Sequence, residues 1–451
     1  MKTELVATTR PRTPLGTPVV LFLSLAAALG TAAIYPLQPA IAQVAGSVEA
    51  SIATVGIALA GGPVGYLIGL ALLVPLVDRF QPARALAGQF GVLAVASVAC
   101  AWVADAWQLG LLMGIIGACS AVGAGLSSVA ARLAPPERRA TILGIVTAGI
   151  SAGILAGRIV GGWLADEIGW RGTQLAFAAA CAVVALGCLA VVPTARRATE
   201  RGYLATLRSL PGLLVRDATL RRASVRGALW FFAFCAVWSG LAVALAEPPF
   251  SYSAERIGLY ALAGLSGIAA TRIAGTWTDR VGPRRVILLG LAVAGAAALG
   301  LGVGLTDTVV TLVCLALFDA GLFAAQVANQ STVLAIDPAS PARYNSAYMV
   351  TYFVGGSLGT AFGAAAVAWF GWTATAAIAG LATGLAAALV AIGRRGGGGG
   401  APAAPPPPPP PHPPPPGRAL SDTDLAMTIE QRFGRIGGRL RAEQYRAETR
   451  C

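Results

Sequence analysis

Asp319 is a lone carboxylate in the middle of a long apolar stretch, VVTLVCLALFDAGLFAAQVANQ (309–330). An ionised aspartate at the centre of a membrane-spanning helix costs roughly 2.5–3.5 kcal/mol on insertion scales. It persists where it faces protein or a water-filled cavity, or where it carries a proton. It is either a proton-titrating or ligand-pairing group, or a structural acid bonded to a neighbouring helix. Arg158 is its basic counterpart, set within GISAGILAGRIVGG (149–162). It lies too deep for an ordinary loop charge, so it either pairs with an acid or a carbonyl, or binds an anionic group.

Polar and aromatic residues gather in the same kind of stretch. Thr31, Tyr35 and Gln38 lie in the first, with Pro36 and Pro39 disturbing the helix hydrogen bonds beside them. Gln326 and Asn329 follow Asp319, and Asn345, Tyr348, Thr351 and Tyr352 come next. Trp230, Phe231, Phe232, Phe234 and Trp238 form a dense aromatic run. Aromatic walls with few polar groups suit flat, apolar or cationic compounds. The alternative is ordinary interhelical hydrogen bonding with interfacial aromatics.

Enzyme chemistry has little to work with. The only histidine, His412, sits in a proline tract, and no G-x-x-x-x-G-K-[ST] phosphate loop occurs. Cys100, Cys119, Cys181, Cys188, Cys235 and Cys314 lie in apolar segments, Cys451 is the last residue, and no CxxC pair occurs. These read as small apolar residues, with no disulfide framework, metal or cofactor expected. The start, MKTELVATTRPR, is too polar for a cleavable signal.

Composition identifies the elements that must hold these residues. Of 451 residues, 56% are hydrophobic and only 12% charged, and the mean hydropathy is +0.70. Such a chain cannot build a water-exposed surface, which excludes a soluble enzyme, a disordered chain and a fibrous one. Its basic excess (33 Lys and Arg against 20 Asp and Glu, net +13) lies beside apolar spans rather than among exposed aromatics. Membrane orientation explains this excess, and no nucleic acid is expected.

A spanning helix needs about 20 apolar residues. Twelve such stretches occur, at 18–43, 51–77, 84–104, 107–132, 140–165, 172–193, 226–246, 255–278, 285–305, 308–336, 343–369 and 372–393. Strands are excluded by the length of the runs and the lack of period-two alternation. Seventeen loop arginines fall on one side of the alternation and two, Arg171 and Arg256, on the other. The positive-inside rule then places both termini and the central loop in the cytoplasm.

The halves echo each other. VDRFQPAR around Asp78 recurs as TDRVGPRR around Asp279, and Gly149, Gly153 and Gly157 recur as Gly355, Gly359 and Gly363. Gly169-Trp170 recurs as Gly371-Trp372. The expected fold is all-α: a polytopic membrane protein of twelve helices in two pseudo-symmetric six-helix bundles, 18–193 and 226–393. A cytoplasmic N-terminus (1–17), a central loop (194–225), a Gly/Pro-rich linker (394–417) and a basic tail (418–451) complete the chain. The tail is either disordered or a weak amphipathic helix. Repeats of this kind place a ligand site near the membrane midplane between the halves. Glycines 149, 153, 157 and 161 share one helix face, where a partner backbone can approach closely.

GTWTDRVGPRR (275–285) resembles the loop signature of the major facilitator superfamily, and TAGISAGILAGRIVGGWLADEIGWR (147–171) resembles the fifth span of its twelve-helix exporters. LAEPPFSYSAERIG (245–258) and ARYNSAYMVTYFVGGSLG (342–359) are similar to bacterial drug-exporter-like members, in particular the acriflavine-sensitivity group. The first loop copy departs from the pattern, with Val74 and Gln81 in place of glycines. Met113 stands where proton-coupled exporters carry an arginine. The resemblance implies a monomeric secondary transporter of the bacterial inner membrane, working by alternating access. It would move a small amphipathic molecule outward in exchange for a proton, without cofactors. Import or facilitated diffusion of a metabolite, and a transporter-like sensor signalling through its tail, are the alternatives. The resemblance also implies a cytoplasmic latch of Asp78, Arg79, Asp279, Arg280, Arg284 and Arg285. By pseudo-symmetry, Asp279 is expected near Thr141 and Asp78 near Asn345, each at the positive end of a helix in the opposite half.

Overall fold

The computed structural model describes residues 16–135, 138–193, 203–337 and 341–392. They belong to one compact unit, Met1–Gly396. The expectations for 1–15, for 194–202 and for the linker and tail from 394 onward lie outside the described residues.

In chain order the helices are α1 (Thr17–Ala32), α2 (Ile41–Ser47), α3 (Ile52–Leu59), α4 (Gly61–Leu72), α5 (Val74–Arg79), α6 (Pro82–Cys100), α7 (Ala106–Ser120) and α8 (Val122–Leu133). They continue with α9 (Arg139–Val191), α10 (Tyr203–Arg216), α11 (Ala218–Ala246), α12 (Ala254–Leu259), α13 (Leu265–Val281), α14 (Pro283–Gly304), α15 (Thr308–Leu334) and α16 (Pro341–Ile392). A 3-10 turn, Tyr260–Gly264, joins α12 to α13. No strand occurs among the described residues.

Among those residues, nine helical stretches are long and apolar enough to cross a membrane. Two of them, α9 and α16, each hold two spans joined at a sharp bend. The bends fall at Gly169 (φ 74°) and Gly371 (φ 79°), where only glycine adopts the backbone without strain. The tryptophan after each bend fastens it. Trp170 Nε1 donates to Ser47 Oγ (2.8 Å), and Trp372 Nε1 to the Leu301 carbonyl (2.7 Å). The short α1, the turn around Tyr35-Pro36 and α2 supply the remaining span, so the architecture is twelve helices in two pseudo-symmetric bundles.

Helix starts follow local chemistry. Ser51, Asp217, Ser253 and Asp307 each accept a backbone N–H of the first turn. α6 and α14 begin on Pro82 and Pro283. The loop copies diverge as their sequences do: Gly282 holds φ 85°, whereas Gln81 is extended at φ −65°. The central connection differs from the expected loop. Its leucines 204, 207, 210, 213 and 214 recur at helical spacing, and α10 forms with Leu210 buried. Asp217 then caps α11 through the Leu220 N–H (2.9 Å), which starts that helix eight residues before the apolar run.

Small residues set the closest helix pairs. A side chain on Gly149, Gly153, Gly157 or Gly161 would collide with α1 or the turn after it, at Ser24, Ala28, Ala32 and Pro36. Gly355, Gly359 and Gly363 meet α11 in the same way, at Ala228, Phe232 and Ala236. In lipid there is no hydrophobic drive between helices, so this backbone contact is what holds the pairs together. It also aims the Tyr35 turn and the aromatic face of α11 at the space between the bundles.

Candidate functional site

Between the halves lies a cavity of about 210 Å³. Tyr35 and Gln38 reach it from the turn after α1, Arg158 from α9, and Phe231, Phe234 and Trp238 from α11. Tyr352 from α16 stacks on Phe231, with ring centres 3.9 Å apart. Thr31 also lines the cavity, and its buried hydroxyl has no hydrogen-bond partner among the described residues.

Among the described residues, Arg158 is the only charged one on this wall. It is 5% exposed. Its Nε donates to Gln38 Oε1 (2.8 Å) and one terminal nitrogen to the Ile154 carbonyl (3.4 Å). Its guanidinium sits 4.5 Å from the Tyr35 ring centre and 4.8 Å from that of Trp238, a cation between two π faces. Trp238 in turn donates Nε1 to Asp319 Oδ1 (3.2 Å). Asp319 is 2% exposed and does not line the cavity. One indole therefore stands between the buried acid and the buried base. The two charges feel each other electrostatically but form no direct ion pair.

The other expected cavity residues are placed differently. Trp230 is buried behind Tyr352, its ring edge-on at 5.0 Å. Asn329 spends its amide on Ala223 and Tyr348, and its Oδ1 accepts two bonds from Arg226 (3.0 and 2.6 Å). Tyr348 donates to Gln326 Oε1 (2.5 Å). These groups tie α11, α15 and α16 together, and none of them lines the central cavity. Asn345 accepts from Gln330 (2.9 Å) and lines a second cavity of about 360 Å³ toward the arginine-rich face. Tyr66, Met349 and Phe353 form the wall that the two cavities share. The rings of Tyr66 and Phe353, from opposite halves, are 4.9 Å apart.

On the arginine-rich face, the latch residues Arg79, Asp279, Arg280, Arg284 and Arg285 form no hydrogen bond or ion pair among the described residues. Arg79, Asp279, Arg280 and Arg285 are exposed. The Asp78 side chain lies outside the described residues. The halves are joined instead at the opposite face, through a residue the sequence reading did not single out. Asp166, near the end of the first span of α9, accepts the backbone N–H groups of Ala254 (3.2 Å) and Glu255 (2.7 Å), and also Gln43 Nε2 (2.9 Å). It caps the start of α12 across the interface. Gly162 lies under Ala254, Gly258 under Arg158, and Gly56 against Ala364, where a side chain would collide. An acid at a span end, on the face poor in arginine, was the available signal for Asp166. Arg272, an exposed base two turns before Asp279 within α13, was likewise legible and not singled out.

A cap is worth about 0.5–2 kcal/mol, and the exposure of Asp166 puts it at the lower end. Asp166→Ala is expected to shift the balance away from this arrangement about two- to fivefold, because the bond exists only while the halves meet here. Spin-label distances between the bend of α9 at Gly169 and the start of α12 measure the shift, and an unchanged distribution would show that Asp166 is no clasp.

The profile of the Major Facilitator Superfamily matches residues 20–360 and 229–439. The putative uncharacterized transporter YgaY of Escherichia coli K12 is 30% identical over 364 residues, 81% of this chain and 92% of that protein. The probable transporter SCO4007 of Streptomyces coelicolor is 33% identical over 376 residues, covering 81% and 86%. Among solved structures, a bacterial homologue of the human lysosomal transporter Spinster, inward-facing and unoccupied, superposes with a TM-score of 0.70. It is 16% identical and covers 84% of this chain and 97% of its own. The nucleoside transporter NupG gives 0.67 at 13% identity, covering 83% and 99%. At such identities the structures share the fold alone.

Proposed function

The chain belongs to the Major Facilitator Superfamily and is a transporter of that type, and on this premise we propose that it couples protons to the passage of small aromatic organic anions by alternating access. The observation that carries the reading is Arg158: among the described residues the cavity wall holds one cation and no carboxylate, while Asp319 stands behind Trp238. Two unit charges about 4 Å apart at an effective dielectric of about 20 interact by about 4 kcal/mol, before desolvation is deducted. That term attracts an acidic group and repels an amine, and the aromatic walls hold the apolar body of the ligand.

Charge balance gives the sign of coupling. With the cavity empty and Asp319 ionised, Arg158 and Asp319 sum to zero. An anion alone leaves one net negative charge, and an anion with a proton on Asp319 restores zero. The two neutral states are the cheapest to carry through a dry interface, so anion and proton travel together. The ligand enters past Tyr66 and Phe353. The Asp166 contact releases the opposite face, and the loop acids Asp78 and Asp279 serve as the latch of the reverse state. The excess of loop arginines supports an inner membrane location with that face cytoplasmic.

Efflux in exchange for protons is the second reading. The likeness of residues 147–171 to exporters favours it, together with a cavity whose rings accept flat cations. A cation stabilises ionised Asp319 and so competes with the proton. Flux of matched aromatic carboxylates and aromatic amines in liposomes, under an imposed pH gradient, separates the two. Carboxylates are expected to accumulate on the alkaline side while amines stay at background. Amines moving toward the acidic side, with carboxylates inert, would overturn the cotransport reading in favour of exchange.

A further inference from the structure

A third cavity, of about 300 Å³, lies away from the transport pathway, on the arginine-rich face among the ends of α11, α14, α15 and α16. Arg222, Arg226 and Arg284 line it, and among the described residues no carboxylate does. Arg222 and Arg226 are one turn apart on α11, so their like charges repel. Arg226 is held in place by two of its own donors on Asn329 Oδ1. Arg222 and Arg284 make no hydrogen bond or ion pair among the described residues. The start of α14, at Pro283, adds its positive end to the same space. Three cations and a helix N-terminus converge here without a described protein anion to balance them.

The rest of the lining is largely apolar, with Ile287, Leu389 and Val390. Leu389 continues a stripe at four-residue spacing along the outer surface of α16, through Leu385 (55% exposed) and Leu381 (72% exposed). That stripe runs from the cavity into the bilayer. A free phosphate would use only the arginines, whereas a phospholipid would use both parts. We propose that this cavity binds the phosphate headgroup of an anionic phospholipid, with an acyl chain laid along Leu389, Leu385 and Leu381. Basic pockets between spanning helices at this depth match such headgroups in charge and reach. The site does not depend on which ligand the central cavity carries.

The test uses the full-length protein in detergent, with phosphatidylglycerol, phosphatidylcholine and inorganic phosphate as probes. Native mass spectrometry reads the lipid bound, and the thermal unfolding midpoint reads its effect. Phosphatidylglycerol is expected to be retained in preference to phosphatidylcholine and to raise the midpoint. Arg222→Gln should cut that preference about fivefold, the worth of one arginine at a charged membrane surface. Arg222→Lys should keep it, because the charge remains. Equal retention of the two lipids by the unaltered protein would overturn the proposal, whatever the variants do. So would an undiminished preference in Arg222→Gln. Stabilisation by inorganic phosphate as strong as by phosphatidylglycerol would also overturn it and would mark a site for the free anion.

Discussion

Asp319→Asn is expected to reduce flux driven by a pH gradient to the level of protein-free liposomes, while the protein folds as before. The amide oxygen still accepts the Trp238 N–H that Asp319 Oδ1 accepts at 3.2 Å. The variant also no longer carries an ionisable group in an apolar span, a cost of roughly 2.5–3.5 kcal/mol on insertion scales. Its unfolding midpoint should therefore equal or exceed that of the parent. What it loses is the proton. Exchange of labelled for unlabelled ligand, which needs no net proton movement, should survive. A pH-gradient response equal to the parent's would remove Asp319 from the coupling scheme. Loss of exchange together with coupling would make it a structural acid.

Arg158→Gln is expected to weaken binding of aromatic carboxylates about 10- to 150-fold, the range that a hydrogen bond to a charged group of about 1.5–3 kcal/mol spans. Neutral analogues of the same shape should lose far less, because the rings of Tyr35, Phe231, Trp238 and Tyr352 remain. The amide introduced by this substitution can still bond Gln38, so the packing around the turn after α1 is preserved. Arg158→Lys should recover part of the loss. An ammonium keeps the charge but not the flat fork that lies between two rings while donating to Gln38. Equal affinity for carboxylate and neutral analogue in the parent protein would refute the anion site. Equal loss of both ligands in Arg158→Gln would assign Arg158 to packing alone.

The two substitutions act on opposite sides of one indole. Trp238 separates the group that would take the ligand from the group that would take the proton. An anion seated at Arg158 draws on the positive charge that also favours ionised Asp319, so ligand binding and protonation support each other through Trp238. No direct Arg158–Asp319 contact is needed for that coupling, and none is formed.

The sequence by itself determined the layout of the membrane spans, because a helix in lipid must be apolar along its own length. It determined the close pairing face of α9, since Gly149, Gly153, Gly157 and Gly161 recur at the helical period. The bends at Gly169 and Gly371 were marked by the repeat. Asp319 and Arg158 stood out because a charge within a span is costly wherever it points. Only the tertiary structure decided what these charges touch. Trp238 reaches Asp319 from 81 residues away, Arg158 reaches Gln38 across 120, and Asp166 caps Glu255 across 89. Nothing in the local pattern separates Tyr352, which faces the cavity, from Tyr348, four residues before it and bound to Gln326 and Asn329. Nor does it separate Arg226, which is spent on Asn329, from Arg222, one turn before it and free to meet a headgroup. Helical periodicity records how much of a face is apolar. Which neighbour meets that face depends on how helices distant in the chain pack side by side, and a single helix carries no record of that.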